Sequence, residues 1–283
     1  MPILTRPDGT EAEDLHLSRR GVIGSLFFSG YALAALSAEA APITTAADGL
    51  VIEEALIPNG AATPLPAYVA RPAGKGRHAC VIVVNEIFGV HDYIKDVCRR
   101  LARLGYVAVA PEFFYRSGVN LPALTDFAEI RKVVGQASID QVDGDVRATS
   151  AWMKAQKFAR GDRIGITGFC WGGAVVWRAA MVDPDIRAGV AWYGQLKPLI
   201  ARAAELKAPV LGLYGGKDQG IPVADVEAMQ AALKAAGKTG SSIQLYADAP
   251  HGFHADYRPS YTEAAATDGW ARLLAHFKAN GVI

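Results

Sequence analysis

From Ala79 onward, short apolar runs alternate with longer segments whose apolar residues recur at helical spacing. The runs are "ACVIVVN" from Ala79, "YVAVA" from Tyr106, "RIGIT" from Arg163, "AGVAWY" from Ala188, "PVLGLY" from Pro209 and "IQLYA" from Ile243. Strands that are apolar on both faces belong in a parallel sheet covered by helices on each side. The alternation therefore predicts an α/β fold, doubly wound around a mostly parallel sheet. Helices are expected roughly over Asp92–Leu104, Asp126–Gly135, Ile139–Gln156, Gly172–Val182, Val223–Ala236 and Tyr261–Asn280, with Gly105, Gly135 and Gly237 as stops. Two earlier runs, Leu50–Ile57 and Ala67–Arg71, are parted by Pro58-Asn59-Gly60. They read as an opening antiparallel pair and bring the sheet to about eight strands.

A chain of 283 residues suits one such domain, expected over residues 49–283 after a linker over 41–48. With 29 basic against 28 acidic side chains, nothing implies a field that gathers nucleic acid. A small-molecule partner and a monomer are expected. Ahead of the domain, Ser18-Arg19-Arg20 precedes an uncharged stretch from Gly21 to Ala38 and then the small-x-small sequence Ala38-Glu39-Ala40. Residues 1–40 thus read as a twin-arginine export signal that directs the protein to the periplasm. The alternatives are a retained segment that would bring the chain to a membrane, or a cytoplasmic protein. Of the three cysteines, Cys80 lies in a strand run and Cys98 in a helical pattern, and both read as small buried hydrophobes.

Cys170 is different. Gly168-Phe169-Cys170-Trp171-Gly172 sits where run "RIGIT" ends and helix "GGAVVWRAAM" begins, which fits the nucleophile elbow G-x-S-x-G with cysteine in place of serine. Parallel sheets gather ligands at the carboxyl ends of their strands, and a helix N-terminus favours both a thiolate and an oxyanion. The Trp171 amide is the natural first oxyanion donor, and the second is expected after "ACVIVVN", most simply the amide of Ile87. The partners of such a nucleophile follow in the order acid, then histidine. Asp218 falls just past "PVLGLY" and His251 just past "IQLYA". The remaining histidines lack that placement, and only His91 and His254 fall where they could lie near the site.

These motifs resemble the dienelactone hydrolase family of α/β-hydrolases, from about Leu50 to the C-terminus. The likeness rests on Asn85-Glu86-Ile87-Phe88-Gly89-Val90, Pro111-Glu112-Phe113-Phe114-Tyr115, Gly168 to Gly173, Gly215 to Asp218, and His251-Gly252-Phe253. The resemblance implies the α/β-hydrolase fold, a lactone or ester substrate and a thioester intermediate. Within it, Cys170 is the nucleophile, His251 the base and acid, Asp218 its orienter, and Ile87 and Trp171 the amide donors. It also implies a duty for Glu86, holding the resting thiol and taking part in its activation. No metal or organic cofactor is implied.

In family members that hydrolyse dienelactone itself, arginines hold the substrate carboxylate. Here alanine stands at the expected place after the histidine, so Arg258, Arg131 and Arg116 are the candidates. Phe88, Trp171 and Tyr193 are the expected aromatic lining. The runner-up from another class is a non-hydrolytic binding or redox-sensing protein that uses Cys170 as an oxidisable thiol. A peptidase or thioesterase would share the elbow.

Overall fold

The structure is a computed structural model and describes residues 42–283. The expected export signal lies outside the described residues. Among the described residues, no helix is long and apolar enough to cross a membrane.

Eight strands form one sheet: β1 (Leu50–Ile57), β2 (Leu65–Pro72), β3 (His78–Val84), β4 (Val107–Pro111), β5 (Ala159–Phe169), β6 (Ile186–Trp192), β7 (Val210–Gly215) and β8 (Ser242–Tyr246). Their order is β1-β2-β4-β3-β5-β6-β7-β8. The pairs β1·β2 and β2·β4 run antiparallel and all others parallel. Every residue of β4 is buried, whereas edge strand β1 alternates between exposed and covered positions. Burial on both faces is what makes the central runs continuously apolar.

Among the described residues, the α-helices are α1 (Asp92–Arg103), α2 (Phe127–Gln136), α3 (Ile139–Ala155), α4 (Trp171–Val182), α5 (Val223–Ala235) and α6 (Glu263–Ala279). Alternate residues of β5 show how the two faces are covered. Gly165 meets Phe277 of α6, and Phe169 packs on Tyr93 of α1. Gly168, one pleat away, meets the backbone of α4. Thus α1 and α6 cover one face while α3 and α4, which touch each other, cover the opposite one. Ser138 and Gln141 form a reciprocal capping box that starts α3. Gly135 does not stop a helix, because α2 runs on to Gln136 and the chain turns out at extended Ala137 to reach that cap. Gly105 and Gly237 do follow helix ends, both with positive φ.

Residues 42–47 carry no regular structure, yet they are pinned to the molecule: Thr45 donates to Asp96 of α1, and Arg99 donates back to the Thr45 carbonyl.

Candidate active site

Cys170 sits between the last residue of β5 and the first of α4, at φ 57° and ψ −117°. Such an angle costs a non-glycine residue on the order of 1–3 kcal/mol, so the surroundings must enforce it. Glycines allow that enforcement. A Cβ on Gly168 would strike the Gly172 carbonyl, and one on Gly172 would lie 2.6 Å from the Val84 and Asn85 oxygens at the end of β3. On the other side, a Cβ on Gly173 would lie 2.8 Å from the Gly194 nitrogen. The Cys170 amide donates to the Trp192 carbonyl at 3.0 Å and the Gly173 amide to the Cys170 carbonyl at 2.9 Å. The turn is held on both sides, and the thiol is buried at its apex.

Two further strand ends meet there. After β7, Asp218 divides its carboxylate between two tasks. Oδ1 accepts from the Gly220 and Ile221 amides at 2.8 and 3.1 Å, while Oδ2 lies 2.6 Å from Nδ1 of His251 in the loop after β8. One carboxylate thus both closes the turn and bonds the His251 ring. Burial pushes the His251 pKa down, but the Asp218 charge and hydrogen bond, with the interaction of the ring with the Cys170 side chain, outweigh it and raise it to about 9. Tyr193, at the unusual φ of 39°, packs edge-on against the His251 ring at 5.0 Å.

Beside this group lies a dry cluster around Glu86, which is fully buried. Arg258 Nη2 stands 3.3 Å from Glu86 Oε1, His91 Nε2 stands 3.6 Å from Oε2, and the Tyr257 hydroxyl donates to Oε2. Burial alone would raise the Glu86 pKa, yet the Arg258 charge and the His91 and Tyr257 contacts hold it down at about 2. Glu86 thus engages three groups, from α1 and from the loop after β8. Ile87 and Phe88 follow Glu86 directly, and the Arg258 guanidinium lies 5.0 Å above the Phe88 ring. Trp171 opens α4 and packs at 4.7 Å on Phe114 from the loop after β4. In that same loop Glu112 accepts from the Val90 amide at 3.1 Å, and burial pushes its pKa up to about 7.

Arg258 is thus the one arginine among the three sequence candidates that lies against Glu86. Arg116 instead forms a two-pronged pair with Asp145 of α3 at 2.6 and 2.8 Å, beside Asn59 of the β1–β2 connection. Arg131 lies on α2 with its guanidinium 5.8 Å above the Phe127 ring. Neither arrangement includes Cys170, His251 or Glu86. Trp192 is core: it donates to Thr167 at 3.1 Å and packs on Phe169. His254 is buried among Phe169, Trp192 and Trp270 with Nδ1 2.6 Å from the Tyr93 hydroxyl; burial and then the Arg100 charge depress its pKa to about 3. Two partners of Glu86, His91 and Tyr257, carry no sequence signal of that contact. They reach it only because α1 and the loop after β8 converge on the end of β3. Among the described residues, no group of three or more His, Cys, Asp and Glu side chains is arranged to hold a metal ion.

The chain is similar to known proteins in sequence and in fold. A sequence model of the dienelactone hydrolase family matches residues 65–281. A Methylorubrum extorquens protein provisionally named carboxymethylenebutenolidase is 48% identical over 94% of this chain and 94% of its own. A Bradyrhizobium protein, provisionally named a 2-oxo-3-(5-oxofuran-2-ylidene)propanoate lactonase, is 34% identical over 75% of this chain and 88% of its own. A crystal structure from Klebsiella pneumoniae, provisionally named a dienelactone hydrolase, superposes with a TM-score of 0.77 at 42% identity over 82% of this chain and 99% of that one. With its eight-stranded sheet of the α/β-hydrolase fold, this chain belongs to the dienelactone hydrolase family.

Proposed function

We propose that this protein hydrolyses a carboxylic ester or lactone through Cys170, His251 and Asp218. The observation that carries the reading is the 2.6 Å bond from Asp218 to His251, on a ring that also interacts with the Cys170 side chain at a strained strand-to-helix turn. The chemistry follows from the ring's affinity for protons. His251 takes the thiol proton and Asp218 stabilises the resulting imidazolium. The sulfur forms a bond to the carbonyl carbon as the carbonyl oxygen gains the electron pair, and the amides of Ile87 and Trp171 are assigned to that oxyanion. Collapse breaks the C–O bond, the leaving oxygen receives the proton from His251, and a thioester remains. A water then gives its proton to the same ring, attacks the thioester and displaces the sulfur, which regains the proton as the acid product leaves.

The charge balance narrows the substrate. Glu86 neutralises Arg258 and Asp145 neutralises Arg116, so a substrate carboxylate bound at either of these arginines would have to displace a buried acid. We assign a neutral ester or lactone. Removing the thiol in Cys170→Ala should lower kcat by about a thousandfold or more on activated phenyl esters and on enol-lactones, given the size of nucleophile effects. Equal rates for this variant and the parent protein would end the reading. In a paired assay, a neutral enol-lactone should be turned over with at least about ten-fold higher kcat/KM than its carboxylate-bearing analogue, the cost of displacing one buried charge being at least about 1.4 kcal/mol. A preference for the charged analogue would overturn the substrate assignment and leave the nucleophile in place.

A further inference from the structure

We propose that Ile43–Ala46 is a strap that positions the site, acting through Asp96 and Arg100 of α1 on Asp256 in the loop that carries His251, Tyr257 and Arg258. This segment precedes the region matched by the family model, which begins at residue 65. It contributes little apolar burial, since Ile43 is 48% exposed and Thr44 and Ala46 are exposed too. Its contacts are polar and run to one place. The Thr45 amide donates to Asp96 Oδ1 at 2.5 Å and its hydroxyl to Oδ2 at 3.3 Å. Arg99 donates to the Thr45 carbonyl at 2.9 Å and Arg103 to the Ala46 carbonyl at 3.0 Å. The Ile43 backbone lies close enough to the Asp256 carboxylate to favour its charged form.

Charge explains why such a segment matters. Asp96 and Asp256 are both buried, each 2% exposed, and Arg100 bridges them, at 2.6 Å to Asp96 and in closer contact with Asp256. Two carboxylates sharing one cation repel each other. Thr45 supplies Asp96 with two further donors, which leaves Arg100 able to hold both acids. Asp256 precedes Tyr257 and Arg258, which grip Glu86, and the loop between is closed by the bonds Ala255 to Gly252 at 2.9 Å and Arg258 to Ala255 at 3.0 Å. A shift of Asp256 is therefore carried to Glu86 on one side and toward His251 on the other. Arg100 and Asp256 are positioning residues: they touch neither sulfur nor substrate. Cleavage after Ala40, where the small-x-small sequence ends, would leave the strap attached.

The inference rests on the proposed role of the His251 loop, and its test keeps the two apart by combining a rate with a measurement that needs no turnover. In the full chain, Thr45→Pro removes the amide donor at a site outside the core, Arg100→Met removes the bridge, and Arg100→Lys keeps its charge. Amide exchange of residues 252–258 should quicken about ten-fold in the first two, with kcat on a neutral ester falling about ten-fold at nearly unchanged KM, because small misplacements cost rate rather than binding. Arg100→Lys should recover part of both. Unchanged exchange in Thr45→Pro and in Arg100→Met overturns the strap, even if the protein turns over no ester. A lowered Tm with loop exchange and kcat unchanged overturns it equally, since that is what a merely structural contact would give.

Discussion

Glu86 and Arg258 are an ion pair taken out of water, and that environment decides what their substitution does. Glu86→Gln leaves a buried guanidinium without its counter-charge, which costs about 3–5 kcal/mol; urea unfolding of the variant should show a loss of that size. The double variant Glu86→Gln/Arg258→Met should recover much of it, because no charge is then left unpaired. Cys170, Asp218 and His251, to which we assign the reaction, were legible as candidates because each lies at the turn or loop that follows an apolar strand run, and chain order suggested a role for each. The roles of Tyr257 and His91 as partners of Glu86 were not. Their contact with Glu86 depends on how far α1 and the loop after β8 lean over β3, and no spacing along the chain encodes that lean. The same limit hid the partner of Arg258, which the sequence offered only as a candidate for holding a substrate carboxylate.

The elements were easier to read than their joints. Among the described residues, alternating apolar runs of both periods located every strand and every α-helix, because burial leaves a compositional mark along each element. Gly135 shows where that reasoning fails: a glycine signals a stop only if the next residues release the helix, and here Ser138 sets the break. Two substitutions test the local logic. Ser138→Ala removes half of the reciprocal cap on α3 and should cost about 1 kcal/mol in chemical unfolding, with activity unchanged. Gly172→Val places carbons against the carbonyls that end β3, and should cost about 3 kcal/mol or more, seen as a drop in Tm or a failure to accumulate folded protein.

At the level of the whole molecule, four buried groups set how stability depends on pH. His251 has a folded pKa of about 9 against an ordinary 6.5, so its contribution is complete below 6.5 and lost as pH rises through 9. Glu86, at about 2 against 4.5, contributes fully above 4.5 and loses that contribution as pH falls through 2. His254, buried neutral at about 3, contributes fully above 6.5 and weakens the fold increasingly as pH falls from there to 3. Glu112, raised to about 7, works the other way and lowers stability as pH climbs from 4.5 through 7. Tm measured across about pH 4 to 10 should therefore peak between about pH 5 and 7 and fall on both sides. Asp218→Asn should flatten the alkaline fall, since without the carboxylate the ring no longer favours its proton. A parent profile that rises steadily to pH 10 would contradict these assignments.

The elbow glycines carry one more implication. Because backbone presses on Gly172 from β3 and on Gly173 from the turn after β6, the sulfur cannot swing outward on a moving hinge. Whatever gates its encounter with an electrophile has to be the side chains around it. Alkylation by haloacetamides of increasing bulk would then gauge the width of a fixed aperture rather than the frequency of an opening.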